Sequence, residues 1–313
     1  MSKNVGIKQA AGLIKDHDNI LILTHKNPDG DTLGSGFALC AAIRATGKKA
    51  NVQASGVARH YSYMTELMSD VEFEPEYVVS VDVASENLID DRYKHLRVDV
   101  AIDHHGSNSG FADNLLCDPE SASCAEIVAD IIAELGVKID KYIAECLYTG
   151  VSTDTGCFRY SNTTSSSLRL AAEFIDIGID YAGLNRVLFE VKSRGRIKLE
   201  TAAFAGMEFT LGGKIAIMTI TDDMLIAARV DIAEVEGITA IPRNVEGVEA
   251  GVTLRELENG TFKVSLRTLN IDAAKICSRF GGGGHRRAAG FECSGTQFDV
   301  KAALVAEIEK EMN

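Results

Sequence analysis

In the first half of the chain, short apolar runs alternate with longer segments whose apolar residues recur at helical spacing. The strand-like runs occupy residues 19–24, 49–55, 76–85 and 97–108. The helix-like segments occupy residues 31–49, 121–139 and 141–156. This alternation predicts an α/β domain with a doubly wound, mostly parallel sheet. In such sheets, ligands bind beyond the carboxyl ends of the strands.

Several of the strand-like runs end in histidine or aspartate. His25, Asp82 and His104 each lie where an apolar run gives way to a loop, so the predicted fold gathers them at one edge of the sheet. The heptapeptide "HKNPDGD", which starts at His25, needs its proline and glycine to turn, but no turn needs His25, Asp29 and Asp31 together. Taken singly, each has an ordinary explanation, since aspartate is common in turns and Asp31 could cap the following helix.

The candidate metal ligands are carboxylates and imidazoles, without cysteine. They are His25, Asp29, Asp31, Asp82, Asp103, His104, His105 and Asp154. Clustered carboxylates repel one another unless cations neutralise them, and this mixture suits Mn²⁺ or a similar divalent ion better than structural zinc. There are too many ligands for one ion with open positions, so we predict two ions bridged by one carboxylate, roughly 3.5–4 Å apart. The competing interpretation, that these residues only cap helices and end strands, requires several coincidences.

The second half of the chain has a different pattern, with alternating strands and tight turns. The predicted elements are a hairpin turning at Gly212–Gly213, a hairpin turning at Asn259–Gly260, a short helix over 272–280 and an amphipathic C-terminal segment over 298–313. They predict a smaller α+β domain. The predicted domain boundaries are residues 1–185 for the first domain, 186–205 for a helical connector and 206–313 for the second domain.

The segment "GGGGHRRAAGF", residues 281–291, suggests anion binding. Consecutive glycines leave backbone N–H groups unshielded, which favours an anion, and Arg286 and Arg287 add planar forks suited to phosphate. The alternative is a glycine turn with solvated arginines. No GxxxxGK[ST] pattern occurs in the chain, so a P-loop is not supported.

Composition limits the partners. The net charge of −13 and the 6% aromatic content disfavour a protein that coats long nucleic acid, because that task needs a broad basic or stacking surface. The seven cysteines contain no CxxC pair, which is typical of reduced thiols in a cytoplasm. The sequence shows no transmembrane run and no signal peptide. We therefore expect a cytoplasmic protein without membrane contact.

Five motifs occur together, in a fixed order. They are "HKNPDGDTLGS", "VDVAS", "DHHGSN", "GVSTDTGCFRYSNT" and, much later, "SLRTL" followed by "FGGGGHRRAAGF". Together they resemble the DHH phosphoesterase superfamily, and within it the DHH–DHHA1 subfamily of nanoRNase and 3′-phosphoadenosine 5′-phosphate (pAp) phosphatase proteins. The resemblance covers nearly the whole chain. It implies a DHH catalytic domain, a DHHA1 substrate-binding domain and an active-site cleft between them.

The resemblance also implies roles for individual residues of the first domain. One Mn²⁺ would be held by His25, Asp29 and Asp82. A second Mn²⁺ would be held by Asp31, Asp82, His104 and Asp154, with Asp82 as the bridge. His105 would face the scissile phosphate, and Asp103 would support it. Mg²⁺ or Co²⁺ could replace the two Mn²⁺ ions of each chain.

In the second domain, the resemblance implies a site for another phosphate or nucleotide of the substrate. Its residues would be Arg267, Gly282, Gly283, Gly284, His285 and Arg287. The residues after the GGGH motif vary within the subfamily, so the pair Arg286–Arg287 bears on which phosphate is bound. This domain would close over the cleft. The distance between the metals and the glycine loop would then limit the length of the substrate.

The activity implied is Mn²⁺-dependent hydrolysis of short oligoribonucleotides (about two to five nucleotides) from the 5′ end, and of pAp to AMP. Hydrolysis of cyclic dinucleotides or of linear pApA and pGpG remains open. An inorganic pyrophosphatase would share the metal motifs, but "GGGGHRRAAGF" argues against it. A non-catalytic nucleotide-binding module would be expected to have lost a ligand. The expected partners are short RNA, pAp or dinucleotides, and a homodimer is compatible with the resemblance.

Overall fold

A computed structural model describes residues 2–66, 68–230, 235, 237–257 and 260–312. The chain forms two compact units, Met1–Val191 and Lys192–Asn313. The predicted connector, residues 186–205, contains the boundary between them: a π-helical turn at Arg186–Glu190 closes the first unit, and a helix opens the second.

The first unit is an α/β domain. Its elements are β1 (Lys3–Asn4), α1 (Ile7–Lys15), β2 (Ile20–Leu23), α2 (Gly30–Ala45), β3 (Ala50–Gln53), α3 (Ser62–Glu66), β4 (Tyr77–Val81), β5 (Val100–Asp103), β6 (Asn114–Cys117), α4 (Cys124–Glu134), α5 (Lys141–Asp154), α6 (Ser165–Ile177) and α7 (Tyr181–Asn185). The strands form one sheet in the order β1-β6-β5-β4-β2-β3. Every pairing in it is parallel, which confirms the predicted class.

The central strands β2, β4 and β5 are fully buried. Strands covered on both faces read as continuous apolar runs, which is why the sequence predicted them. Strands β1 and β6 were not predicted. They have two and four residues, and both carry residues that are not buried, so neither shows such a run.

Helices α2 and α5 approach each other closely because glycines lie between them. A Cβ atom added to Gly34 of α2 would lie 2.3 Å from the carbonyl oxygen of Cys146. One added to Gly150 of α5 would lie 2.7 Å from the Oδ1 atom of Asp31. Distances this short leave no room for a side chain, so these two positions require glycine. The close approach places the first turn of α2 beside the C-terminal half of α5.

The second unit combines one mixed sheet with helices. Its elements are α8 (Arg194–Ala205), β7 (Glu208–Thr210), β8 (Ile215–Ile220), α9 (Asp222–Ala228), β9 (Ala250–Leu257), β10 (Thr261–Thr268), α10 (Ala273–Ser278), β11 (Gly283–His285), β12 (Ala288–Ser294) and α11 (Gln297–Met312). The strand order is β11-β12-β10-β9-β8-β7. Strands β8 and β9 are parallel, and the other neighbours are antiparallel. One face packs on α10 and α11 through a core that includes Val264, Leu266, Ile276 and Leu304.

The two predicted hairpins are present as β7–β8 and β9–β10. Residues 258 and 259 of the second turn lie outside the described residues. The glycine run differs from the predicted loop, because Gly283–His285 forms a short edge strand paired with β12. Glycine lacks a side chain to pack in a strand, so its sequence gives no strand signal.

Candidate metal centre

The candidate ligands of the first unit lie at the carboxyl ends of the central strands and at the ends of two helices. His25 follows β2, Asp82 follows β4 directly, and His104 and His105 follow β5, which ends at Asp103. Asp31 lies in the first turn of α2, and Asp154 is the last residue of α5. Because parallel strands end at one edge, residues far apart in sequence meet there.

Asp29 is the N-cap residue of α2. Its Oδ1 atom accepts hydrogen bonds from the backbone N–H groups of Asp31 and Thr32, at 3.1 and 3.2 Å. The sequence left this capping role open for Asp31 instead. Asp29 also lies 3.5 Å from the Nε2 atom of His25. With Asp82, these two residues place three donor atoms close enough together to hold a metal ion.

A second group of potential ligands consists of Asp31, His104 and Asp154. The Nε2 atom of His104 lies 3.4 Å from Asp154 Oδ2 and 3.9 Å from Asp31 Oδ2. The carboxylate of Asp31 is oriented by the N-terminus of α4, since it accepts hydrogen bonds from the N–H groups of Cys124 and Ala125 at 2.6 and 2.9 Å. These bonds leave the side chain little freedom to turn away from the centre.

Asp82 lies between these two groups, and with His104 and His105 it forms a third group of potential ligands. Its Oδ2 atom is 3.9 Å from His25 Nε2, and its Oδ1 atom is 3.6 Å from His104 Nε2. Asp82 is 3% exposed, and its Oδ1 atom has no hydrogen-bond partner among the described residues. Its backbone φ is 57°, a left-handed conformation that costs a non-glycine residue free energy and is typical of functional sites.

His105 is oriented by Asp103. Its Nδ1 atom lies 2.7 Å from Asp103 Oδ1, which also accepts the backbone N–H of His104 and His105. Asn108 donates to Asp103 Oδ2 at 2.6 Å and to the carbonyl of Val83 at 3.1 Å. Asn108 was not among the sequence candidates. Its position three residues after the histidine pair was the only indication of its role in the sequence. A neutral amide adds nothing to the pattern of charged residues by which the other candidates were found.

Without a bound cation, the buried carboxylates of the centre repel one another. Burial, followed by the negative charges of Asp31 and Asp29, raises the pKa of Asp82 well above its ordinary value. Burial likewise raises the pKa of Asp31 to about 6, although His104 and the N–H groups of α4 oppose the rise. Burial also raises the pKa of Asp154. A divalent cation removes this repulsion, and the orphaned Oδ1 atom of Asp82 is a ready ligand.

In the Asp103–His105 pair, by contrast, the surroundings favour the charged form of each side chain. Burial alone would raise the pKa of Asp103, but hydrogen bonds from His105 and Asn108 hold it below its ordinary value. Burial alone would lower the pKa of His105, but the hydrogen bond and charge of Asp103 raise it above its ordinary value. This pair therefore favours a carboxylate next to an imidazolium, which suits a proton donor near neutral pH.

The substrate candidates lie in the second unit. Arg267 is on β10, opposite Ala288 of β12, and Ala288 is in turn opposite His285 of β11. Gly282 directly precedes β11, Gly283 and Gly284 belong to it, and Arg287 precedes β12. Directly opposed residues in antiparallel strands face the same side. Arg267 and His285 therefore share one face of the sheet.

Two stretches of the chain match known protein families. Residues 19–151 match the N-terminal domain of the DHH family, and residues 212–313 match the DHHA1 domain. The bifunctional oligoribonuclease and PAP phosphatase NrnA of Thermus thermophilus is 34% identical and covers 93% of this chain and 89% of its own. The chain belongs to the DHH family. It is a phosphoesterase of this family that carries His and Asp clusters able to bind metal.

Other known proteins resemble the chain over most of its length. NrnA of Bacillus subtilis is 27% identical and covers 94% of both chains. The crystal structure of an exopolyphosphatase-related protein from Bacteroides fragilis is 25% identical, with a TM-score of 0.83 and coverage of 97% and 95%. RecJ of Thermus thermophilus in complex with Mn²⁺ is 14% identical, with a TM-score of 0.59 over 97% of this chain and 54% of RecJ. At that identity, RecJ shows a shared fold alone.

Among the described residues, no helix is both long and apolar enough to cross a membrane.

Proposed function

We propose that the protein hydrolyses short oligoribonucleotides to nucleoside monophosphates, from the 5′ end, and dephosphorylates pAp to AMP. The observation that carries this proposal is the position of Asp82, buried between two groups of His and Asp ligands. The name of the relatives from Thermus thermophilus and Bacillus subtilis, bifunctional oligoribonuclease and PAP phosphatase, supplies the substrate class.

The ligand set fits two divalent cations. His25, Asp29 and Asp82 would hold one, and Asp31, Asp82, His104 and Asp154 would hold the other. Oxygen and imidazole donors without thiolate suit Mn²⁺, with Mg²⁺ or Co²⁺ as substitutes. When bound, a pair of such ions supplies a water nucleophile of lowered pKa and offsets negative charge on the phosphoryl oxygens.

The remaining chemistry belongs to side chains of the chain. His105, held by Asp103 through its Nδ1 atom, would act on the scissile phosphate, where an imidazolium offsets the developing charge and gives its proton to the leaving oxygen. Asn108 holds Asp103 from the other side. The carboxylate thus serves to orient the ring and to keep it protonated.

The second unit would bind a phosphate or nucleotide of the substrate away from the scissile bond. Arg267 and His285 face one side of its sheet, and an arginine fork matches phosphate geometry. Binding energy realised there can lower the barrier at the reacting phosphate. A second contact of this kind favours short substrates with a phosphate at a fixed distance.

A substrate panel with Mn²⁺ tests the proposal. The panel contains pAp, RNA of two to about twenty-four nucleotides with either end labelled, linear pApA and pGpG, cyclic dinucleotides and pyrophosphate, with products resolved by chromatography. We expect fastest turnover of pAp and of the shortest RNA, with release of 5′-terminal monophosphates. Preference for cyclic dinucleotides or pyrophosphate, or for the longest RNA, would contradict the assigned substrate class. Asp82→Asn is the inactive control.

A further inference from the structure

The face of the sheet that lies opposite α10 and α11 contains a row of residues aligned across four strands. The register opposes Gly251 of β9 to Arg267 of β10, Arg267 to Ala288 of β12, and Ala288 to His285 of β11. On β10, Phe262, Val264 and Leu266 are buried in the core. Arg267 therefore belongs to the opposite face, because side chains alternate along a strand.

The segment that precedes β9 covers this face of β9. Residues 238–240 and 242–244 form two 3₁₀ turns, and Thr253 Oγ1 donates to the carbonyl of Thr239. A Cβ atom added to Gly251 would lie 2.3 Å from the backbone nitrogen of Arg243 and 2.9 Å from its Cβ atom. The φ of Gly251 is not in the left-handed region, so glycine is needed there for the close approach of Arg243.

This packing places Arg243 beside Arg267. Gly251 and Arg267 are direct neighbours on strands about 4.8 Å apart, with their Cα–Cβ directions on the same face. Arg243, which contacts Gly251 on the face of the sheet that carries Arg267, therefore lies about one strand spacing from Arg267. Arginine side chains are long and flexible enough to span one such spacing.

No residue in the described part of the chain neutralises the charge of Arg243. Its side chain is half-buried, and it makes no ion pair or side-chain hydrogen bond with any described residue. Arg279 of the same unit, in contrast, pairs with Glu307 and Glu311. A half-buried arginine that makes no ion pair with the described carboxylates is suited to an anionic ligand.

We propose that Arg243 binds, together with Arg267, the phosphate of the substrate that is not hydrolysed. This inference rests on the proposed function. Two guanidinium groups, one on β10 and one on the turn that packs on β9, suit a terminal phosphate monoester, which is dianionic near neutral pH and has three oxygens to accept bonds. In pAp, that group is the 5′-phosphate. Arg243 therefore determines the preference for substrates that carry it.

The test compares pAp with adenosine 3′-phosphate, which differs only by lacking the 5′-phosphate. In Arg243→Ala, kcat/KM for pAp should fall about 10- to 100-fold, the scale of a lost charge-assisted hydrogen bond, mainly through KM. Hydrolysis of adenosine 3′-phosphate should stay within about twofold of wild type. Arg243→Lys should recover part of the loss, since it keeps the charge but not the fork. Arg194→Ala, at an exposed arginine of α8, should match wild type.

The outcomes separate this inference from the function on which it rests. If wild-type protein hydrolyses neither pAp nor short RNA, the proposed function fails and the role of Arg243 fails with it. If wild type prefers pAp over adenosine 3′-phosphate and Arg243→Ala keeps that preference, only the inference fails. Equal losses on both substrates, or a lowered melting temperature of the variant, would show that Arg243 is structural. Weaker binding of pAp to Arg243→Ala in an Asp82→Asn background, measured by calorimetry, would support the inference without turnover.

Discussion

The Nδ1 atom of His105 lies 2.7 Å from the Oδ1 atom of Asp103, although both residues adjoin a dense group of carboxylates. Asp103 also accepts from Asn108 at 2.6 Å, so its carboxylate is occupied on both oxygens. Metal binding by His105 through Nδ1 would break this arrangement. The hydrogen bond therefore occupies Nδ1, the ring nitrogen that lies 3.4 Å from Asp82 Oδ1, and a role of His105 toward the phosphate would use its other ring nitrogen.

We predict that His105→Ala retains its metal content while kcat falls by roughly 10²–10⁴, the usual scale for acid–base and electrostatic groups. Bound Mn²⁺ is measured by elemental analysis after gel filtration, and kcat with pAp. His95→Ala, at an exposed histidine of the same unit, is the control. His105 Nδ1 also lies 3.4 Å from Asp82 Oδ1, so loss of a metal ion from the variant would make His105 a ligand instead.

Asp82→Asn should abolish turnover and reduce bound Mn²⁺ below two ions per chain. Asparagine keeps the shape of the side chain and tolerates the left-handed φ of this position, but it removes the charge that both ligand groups share. Asp91→Asn is the matched control, because Asp91 is 86% exposed. Two retained metals with a near-normal rate would exclude Asp82 as the bridge.

The sequence predicts the ligands of the centre better than it predicts what orients them. His25, Asp82 and His104 follow apolar runs, and the ends of parallel strands must converge. The contact of Asn108 with Asp103, in contrast, depends on the path of a single turn. The close approach of α2 and α5 needs Gly34 and Gly150 to face each other, a tertiary relationship that no local pattern encodes.

The second unit shows the same limit. Alternation and turn residues predicted both hairpins, because those signals are local. Arg243 is separated from Arg267 by more than twenty residues, and its nearness depends on the register of β9 with β10. A glycine at position 251 is visible in the sequence, but the backbone that approaches it is not.

Asp154→Asn should stabilise the metal-free protein at pH 8. Burial and the charges of Asp31 and Asp29 raise the pKa of Asp154 to about 9, so the folded state disfavours its ionised form. Neutralising the side chain removes this cost, and the melting temperature in EDTA should rise by several degrees. The increment that Mn²⁺ adds should shrink, because one ligand is lost. An unchanged melting temperature in EDTA would mean that burial and the neighbouring carboxylates do not destabilise the ionised form of Asp154.

The same pKa shifts predict the direction of the pH dependence. A carboxyl whose folded pKa is raised binds protons more tightly when folded, so its contribution to stability is present at low pH and is lost as pH rises through the folded value. For Asp154, the group that Asp154→Asn lacks, that value is about 9. In EDTA, the stability of wild type relative to Asp154→Asn should therefore fall between pH 5 and pH 8, measured by calorimetry. With Mn²⁺ the trend should reverse, since protons compete with the metal. The opposite sign in EDTA would contradict the raised pKa values.

The glycine run offers a final prediction, because its glycines differ in what requires them. Gly281 and Gly284 have φ values of 78° and 139°, and a Cβ atom on Gly282 would lie 2.2 Å from the carbonyl oxygen of Gly290. Gly283 has neither constraint, since a Cβ atom there would meet nothing within 4 Å. Local structure thus explains three of the four glycines, and the space above Gly283 is open to a ligand.

Gly283→Ala should therefore fold with a melting temperature equal to or slightly above that of wild type, because alanine lowers the entropy of the unfolded chain. Its kcat/KM for pAp should fall at least about 10-fold, since a methyl group would occupy the path of the phosphate to the backbone N–H groups. Gly282→Ala should instead lower the melting temperature by several degrees through overpacking. Gly206→Ala, where the added atom meets only ordinary contacts at 3.7 Å, should leave activity unchanged. Full pAp activity in Gly283→Ala would show that the substrate does not approach this glycine and would leave Arg243, Arg267 and His285 as the remaining candidates for the remote phosphate.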